Sequence, residues 1–229
     1  MTELIDFEWL RPAGSGGYRV TWGPKIANHR RKGFKTRAPN APVCGIETSG
    51  KRQFVLYRPT EFPTLFQLFA DAPATAEGMR DFFNKFGPLE YGDGRPKEGL
   101  AHHELTIDPV LSHHAWFRGA IAQYNAGNHS DLLTVLTWFN RGWGRLNADL
   151  RANDNGKLTF ILVPASLIQF LWLQFALYAA GDVKLFRCER CGWPFIIGRG
   201  TGRRGTAMYC SNACKVRAYK LRKEAADAC

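Results

Sequence analysis

Four cysteines near the C-terminus form two closely spaced pairs, and their side chains are the best suited in this sequence to carry chemistry. Cys188 and Cys191 form the first pair, and Cys210 and Cys214 form the second. Each short spacing can place two thiolates about 2.3 Å from one ion, which is the Zn–S distance in tetrahedral sites. The spacing therefore predicts that these residues bind one Zn²⁺. Because four thiolates complete a tetrahedral shell, we expect a structural site rather than a catalytic one.

The residues around the pairs predict a small finger that would hold the sulfurs in place. Apolar residues suited to strands lie on both sides of the first pair, at 185–186 and 193–197. Gly192 permits a tight backbone turn whose amides can point at a thiolate. Ser211 is a suitable N-cap, which places Cys214 in the first turn of a helix, where the positive end of the helix favours a thiolate. The predicted order is knuckle, hairpin, glycine-rich loop and helix, which is the treble-clef arrangement.

Residues 184–223 resemble the CGNR-type zinc finger found at the C-terminus of bacterial transcription regulators. The matching positions are Cys188, Cys191, Phe195, Arg203, Arg204, Tyr209, Cys210, Ser211, Cys214, Arg217, Tyr219 and Arg222. The sequence departs from the family at the motif that names it, because Lys215 and Val216 stand where the family has Gly and Asn. The N-terminal signature of the stress-response domain that commonly accompanies this finger is absent. The resemblance implies DNA binding and the regulation of transcription.

Positive charge is concentrated in the same segment of a chain that is basic throughout. The 229 residues carry a net charge of +11, which favours an anionic partner. Between residues 188 and 223 there are nine Lys or Arg residues and one acid, Glu189. Cations surround a narrow apolar stripe on the predicted last helix, which consists of Cys214, Ala218, Leu221 and Ala225. Such a helix suits contact with phosphates, although the bland alternative is that the charges keep a small exposed finger soluble.

These observations predict nucleic acid as the partner, with duplex DNA favoured. The residues expected to contact it are Arg199, Arg203, Arg204, Lys215, Arg217, Lys220, Arg222 and Lys223. A second hypothesis is a module that docks on protein or RNA and controls no promoter. A third is an enzyme whose pocket lies in the preceding domain, with the finger as a structural staple. No catalytic residue is predicted, because no nucleophile motif is present.

The remainder of the chain predicts a mostly helical domain with N-terminal β-strands. Strands are expected at 7–10, 18–22 and 53–57, and helices at 62–69, 76–86, 130–139 and 165–180, with a further helix capped by Asp108 and begun by Pro109. The chain is thus predicted to be an α+β protein, with one domain over residues 1–183 and the zinc finger over 184–229. The first domain would sense a small-molecule effector or form a homodimer.

One uncharged segment, residues 158–180, is long enough to span a bilayer. Pro164 divides it into a strand-like and a helix-like part, and residues 153–156 form a turn motif before it. Ser166, Gln169 and Gln174 share one side of the helical part, so we predict a buried core helix and no membrane span. The first residues lack the features of a secretory signal, which favours a cytoplasmic protein with reduced thiols, Cys44 and Cys229 included.

Three further motifs permit a functional and a bland interpretation. The basic residues between 25 and 37 would form either a phosphate-contacting arm or a solvated loop, and the loop is favoured. The histidines at 102–103 and 113–114 suggest a second metal site, but His113 lies on an apolar helical stripe and is better explained as a core residue. Residues 200–206 contain the glycines of a phosphate-binding loop but lack its lysine, which excludes that motif.

Overall fold

The computed structural model describes residues 5, 7–13, 17–23, 43–48, 54–90, 104–128, 147–152, 158–181, 183–198 and 201–227. These residues form nine strands and five α-helices, which confirms the predicted α+β class. The strands are β1 (Trp9–Pro12), β2 (Tyr18–Gly23), β3 (Val43–Thr48), β4 (Phe54–Tyr57), β5 (Glu104–Thr106), β6 (Asn147–Ala152), β7 (Leu158–Val163), β8 (Val183–Arg187) and β9 (Pro194–Gly198). The helices are α1 (Leu65–Asp71), α2 (Ala76–Phe86), α3 (Ile107–Asn125), α4 (Leu167–Ala180) and α5 (Asn212–Asp227).

The N-terminal strands pair across long stretches of sequence. β1 is antiparallel to β4, and β3 is antiparallel to both β2 and β5. β1 and β2, which are consecutive in the chain, therefore pair with other strands rather than with each other. β6 and β7 form a separate hairpin. α2 packs against the N-terminal strands β1, β2 and β3. The Tyr57 hydroxyl donates to the Phe86 carbonyl at 2.7 Å and so fixes the end of this helix.

An aromatic core holds the helices together. Phe69 of α1 lies 5.1 Å from the ring of Phe82 on α2 and 5.7 Å from that of Phe117 on α3. Phe66 of α1 lies 5.7 Å from Phe175 on α4. α1 is thus the short central helix against which three others pack, and burial of such rings is the dominant stabilising term in a core of this kind.

α4 carries polar side chains that serve the core rather than a solvent face. The Ser166 hydroxyl accepts from the Gln169 amide at 3.4 Å, as an N-cap does, and the Gln169 side chain accepts from the amide of the preceding residue, Ala165, at 2.8 Å. The Gln174 side chain accepts from the Phe66 amide and donates to the Phe62 carbonyl, so it caps α1. Among the residues described, no helix is long and apolar enough to cross a bilayer.

Several predicted boundaries differ from the structure by two or three residues. α1 begins at Leu65 rather than at 62, α4 at Leu167 rather than at 165, and β1 at Trp9 rather than at 7. α3 begins at Ile107, so Asp108 lies inside the first turn and is not the N-cap. Pro109 is accommodated because amides of the first turn have no partner within the helix. The helix predicted at 130–139, the turn at 153–156 and the basic segment at 25–37 lie outside the described residues. We call the described residues from 5 to 181 the helical body and those from 183 to 227 the finger.

Candidate metal centre

The first two sulfurs are presented by a hairpin and its turn. β8 and β9 are antiparallel, with Arg187 opposite Pro194 at the end of the ladder. The turn between them closes with the Gly192 amide donating to the Cys188 carbonyl at 2.8 Å and the Cys188 amide donating to the Trp193 carbonyl at 3.0 Å. Gly192 has a φ of 70°, a conformation that glycine adopts without strain. The predicted knuckle, with strands on both sides, is therefore confirmed.

The second pair of sulfurs is presented by the start of α5. The Ser211 hydroxyl accepts from the Cys214 amide at 3.2 Å, as a helix N-cap does. Cys214 consequently lies in the first turn of α5, as the sequence predicts. The segment before it is joined to the knuckle by the Glu189 amide, which donates to the Met208 carbonyl at 3.1 Å. A small core of Cys188, Phe195 and Ile197 fills the space between hairpin and helix.

The four sulfurs meet at one point, with all of them within 4.8 Å of one another. The Sγ atoms of Cys191 and Cys210 are 3.6 Å apart, those of Cys210 and Cys214 are 3.6 Å apart, and those of Cys214 and Cys191 are 3.7 Å apart. An ion at about 2.3 Å from each sulfur of a tetrahedron requires sulfurs about 3.8 Å apart. The cluster therefore fits a single tetrahedral metal ion, and all four cysteines are free thiols.

The surroundings of the sulfurs favour thiolates unequally. Burial raises the pKa of the Cys188 thiol, but the amides of Cys210, Cys191 and Arg190 point at its sulfur, and together they lower the pKa to about 6. Burial and the three neighbouring sulfurs raise the pKa of Cys210 to about 12. Four adjacent thiolates cannot all exist without a compensating cation. The donor set therefore matches the chemistry of a thiophilic divalent cation, which would displace the protons.

The finger is held against the helical body by contacts that no local motif predicts. The Thr64 hydroxyl, at the start of α1, donates to the Pro194 carbonyl at 2.9 Å, and Thr64 is only 1% exposed. One nitrogen of the Arg187 guanidinium lies 2.7 Å from both carboxylate oxygens of Asp71 at the end of α1. Trp193 packs against the core of the helical body. The finger thus contacts α1 at both of its ends.

Loss of the hydroxyl in Thr64→Val is expected to weaken this junction. The substitution keeps the shape of the side chain but leaves a buried carbonyl without its donor, which costs about 1–3 kcal/mol. We expect a lower free energy of unfolding in urea and faster transfer of the metal to a chromogenic chelator. Thr60→Val is the matched control, because Thr60 lies in the preceding turn and donates no comparable bond among the described residues. Equal metal-release rates for both variants would show that the contact does not support the site.

The cations predicted to contact nucleic acid lie in two places. Arg203 and Arg204 lie in the loop after β9, and the Arg203 guanidinium is 5.1 Å from the centre of the Phe195 ring. Lys215, Arg217, Lys220, Arg222 and Lys223 lie on α5, and all five are exposed. None of these seven makes an ion pair with a described residue. Arg199 lies outside the described residues.

The predicted apolar stripe on α5 is buried only at its start. Cys214 and Ala218 are half-buried, whereas Leu221 is 49% exposed and Ala225 is exposed. The reason is length, because 16 residues of helix extend about 24 Å and the finger's core covers little more than the first turn. The prediction of a buried apolar stripe is therefore wrong beyond Ala218. The rest of α5 extends away from the described part of the chain.

The histidines of α3 are core residues rather than metal ligands. His113 and His114 are both buried, and burial lowers the pKa of His113 to about 4. His114 lies edge-on to the Phe69 ring at 5.4 Å. The only group of three or more metal-binding side chains within the described ranges is the cysteine cluster. His102 and His103 lie outside those ranges.

No protein-family model matches the chain, and neither the curated proteins nor the solved structures contain a match. The resemblance to the CGNR-type finger thus stays a prediction from residues 184–223. In the structure, the four cysteines cluster with a geometry compatible with a bound metal ion.

Proposed function

We propose that this chain is a zinc-containing nucleic-acid-binding protein, and that it acts as a DNA-binding transcription regulator in the bacterial cytoplasm. Zinc is the ion that best suits four thiolates at tetrahedral spacing. Four sulfurs leave no open coordination position, so the metal's role would be structural. It would fix the start of α5 relative to the hairpin and thereby set the orientation of the rest of the helix.

The observation that carries the proposal is the exposure of α5. After its first turn the helix presents cations on most of its circumference, and no described acid neutralises them. Between them lie Tyr219, 62% exposed, and Val216, 45% exposed. At 100° per residue these two side chains fall among Lys215, Lys220 and Lys223 on one face. Such a mixture suits a helix that contacts phosphates with its cations and bases or sugars with its apolar side chains.

The loop after β9 carries two further cations, which support the same proposal. The Thr201 hydroxyl donates to the Gly198 carbonyl at 2.8 Å and accepts from the Arg203 amide at 3.3 Å, so the loop has a defined shape where its arginines begin. Arg203 stands over Phe195 beside the metal cluster, and Arg204 is exposed. Both would add positive charge to the finger that carries α5.

Binding of a fluorescent duplex by the zinc-loaded protein tests the proposal. Each neutralised phosphate contributes about −0.9 to the slope of log affinity against log salt. We expect α5 alone to contribute a slope of about −3 to −4.5, which every further phosphate contact makes steeper, and we expect tighter binding to the duplex than to single-stranded DNA or RNA of the same sequence. Tighter binding to single-stranded RNA would support the RNA-docking alternative instead. Absence of any salt-dependent binding would show that the proposal is wrong.

A further inference from the structure

A shallow groove on the helical body brings two more cations next to the finger. The groove has a volume of about 390 Å³ and includes Arg11 of β1 and Lys85 of α2. The Arg11 guanidinium donates to the Lys85 backbone carbonyl at 3.3 Å, which holds the two residues together. Burial, and then the nearby Arg11 charge, lower the pKa of Lys85. Two like charges are thus kept close at some energetic cost.

The acid in the same groove does not neutralise this pair. Asp81 also lines the groove, but one of its oxygens accepts from two nitrogens of Arg80 at 2.9 and 2.7 Å. Neither Arg11 nor Lys85 makes an ion pair with a described residue. With Arg80 counted against Asp81, the groove retains two uncompensated positive charges. A groove of this kind is complementary to an anion.

The groove adjoins the metal centre through a single side chain. The Lys85 ammonium lies 4.2 Å from the centre of the Trp193 ring. Trp193 in turn lines a cavity of about 330 Å³ together with Cys191 and Arg203. The sulfur of Cys191 is 3.7 Å from that of Cys214, where α5 begins. A short series of contacts therefore leads from α5 past the metal cluster and Arg203 to the cations of the helical body.

We propose that Arg11 and Lys85 form a second phosphate-binding site, which extends the nucleic-acid surface of the finger onto the helical body. This inference rests on the proposed function. The phosphodiester backbone that α5 binds would continue past Arg203 and the edge of Trp193 into the groove. The fixed junction at α1 gives the inference its physical basis, because it holds the groove and α5 in one orientation. Two phosphates of one strand could then be bound without reorganisation of the protein.

The double variant Arg11→Gln/Lys85→Gln tests the second site in the same duplex titration. Loss of two phosphate contacts should make the salt slope shallower by about 1.8 and lower the affinity by on the order of 10- to 100-fold at about 0.1 M salt. The charge-keeping variant Arg11→Lys/Lys85→Arg should retain both values. Arg58→Gln/Arg118→Gln is the control for net charge, because it removes two cations of the helical body that do not line the groove, and it should bind as the wild type does.

Three outcomes would overturn the inference. The Gln variant could keep the wild-type affinity and slope while variants of α5 lose binding. That result would confine the nucleic-acid-binding surface to the finger and leave the proposed function intact. An equal loss in the charge-keeping variant, with less zinc or a lower melting temperature, would mean that the two residues act through their contacts with Tyr57, Phe86 and Trp193. Failure of the wild type to bind would remove both proposals together.

Discussion

Removal of zinc by a chelator is expected to unfold the finger and to destabilise the helical body. The finger's own fully buried core consists of three side chains, each worth about 1.5–3 kcal/mol at most. Ordering its backbone costs about 1–2 kcal/mol for each residue, which this core cannot offset. Structural zinc supplies about 10–16 kcal/mol in comparable finger peptides. Far-UV circular dichroism should show loss of helix, and hydrogen exchange should show loss of protection over residues 183–227.

The same result is expected from Cys210→Ser without a chelator. Loss of a ligand should weaken zinc binding by more than the roughly 10- to 100-fold that follows loss of an outer partner. Cys229→Ser is the matched control, because it removes a cysteine that belongs to neither closely spaced pair and should keep one zinc per chain. The melting temperature of the helical body should fall in the first variant only, because Trp193 and the Thr64 bond then no longer hold the junction. A finger that keeps its exchange protection without metal would contradict this account.

Neutralisation of α5 is expected to abolish most of the affinity for duplex DNA. The variant carries Gln at Lys215, Arg217, Lys220, Arg222 and Lys223. These side chains surround more than half of the helix. Because a helix in a DNA groove has a phosphate backbone on each side, three to five of them would face phosphates at once. The salt slope should become shallower by about 3 to 4.5, and the affinity at about 0.1 M salt should fall on the order of 10³-fold. Anisotropy titrations of one labelled duplex at several salt concentrations measure both quantities.

The control for α5 exchanges lysine for arginine, and arginine for lysine, at the same five positions. It preserves the charge and should preserve the slope, whereas any shift in affinity would report side-chain geometry. Zinc content and helix content should be unchanged in both variants, because the five side chains touch no described part of the core. Wild-type binding by the neutral variant would locate the interaction elsewhere on this basic chain.

The parts of the fold that the sequence predicts are the local ones. The two cysteine pairs, the knuckle at Gly192, the N-cap at Ser211 and the division of the long apolar segment at Pro164 all depend on residues a few positions apart. In such cases the spacing determines which groups can meet, because the backbone between them has few conformations. The order of strand, turn, strand and helix in the finger follows from the same short-range constraints.

The parts that escape prediction depend on contacts between distant residues. Thr64 meets Pro194 across 130 positions, and Lys85 meets Trp193 across 108, so no spacing rule could find either pair. An apolar stripe predicts that other residues will cover it, but it does not show how many turns of the helix they cover. The exposure of Leu221 on α5 could therefore not be predicted. His114 is buried beside His113 because α1 packs over α3, which an apolar stripe on one helix does not reveal.

Native mass spectrometry of protein purified without chelators, combined with elemental analysis, tests the central claim most directly. We predict one zinc per chain in the wild type, and its loss when Cys188, Cys191, Cys210 or Cys214 is replaced by serine. At the same charge state, the zinc-loaded protein should exceed the mass of the apoprotein by one zinc less two protons, because the bound Zn²⁺ replaces two protons. A folded finger that contains no metal, or a mass that indicates a disulfide among these cysteines, would contradict the account.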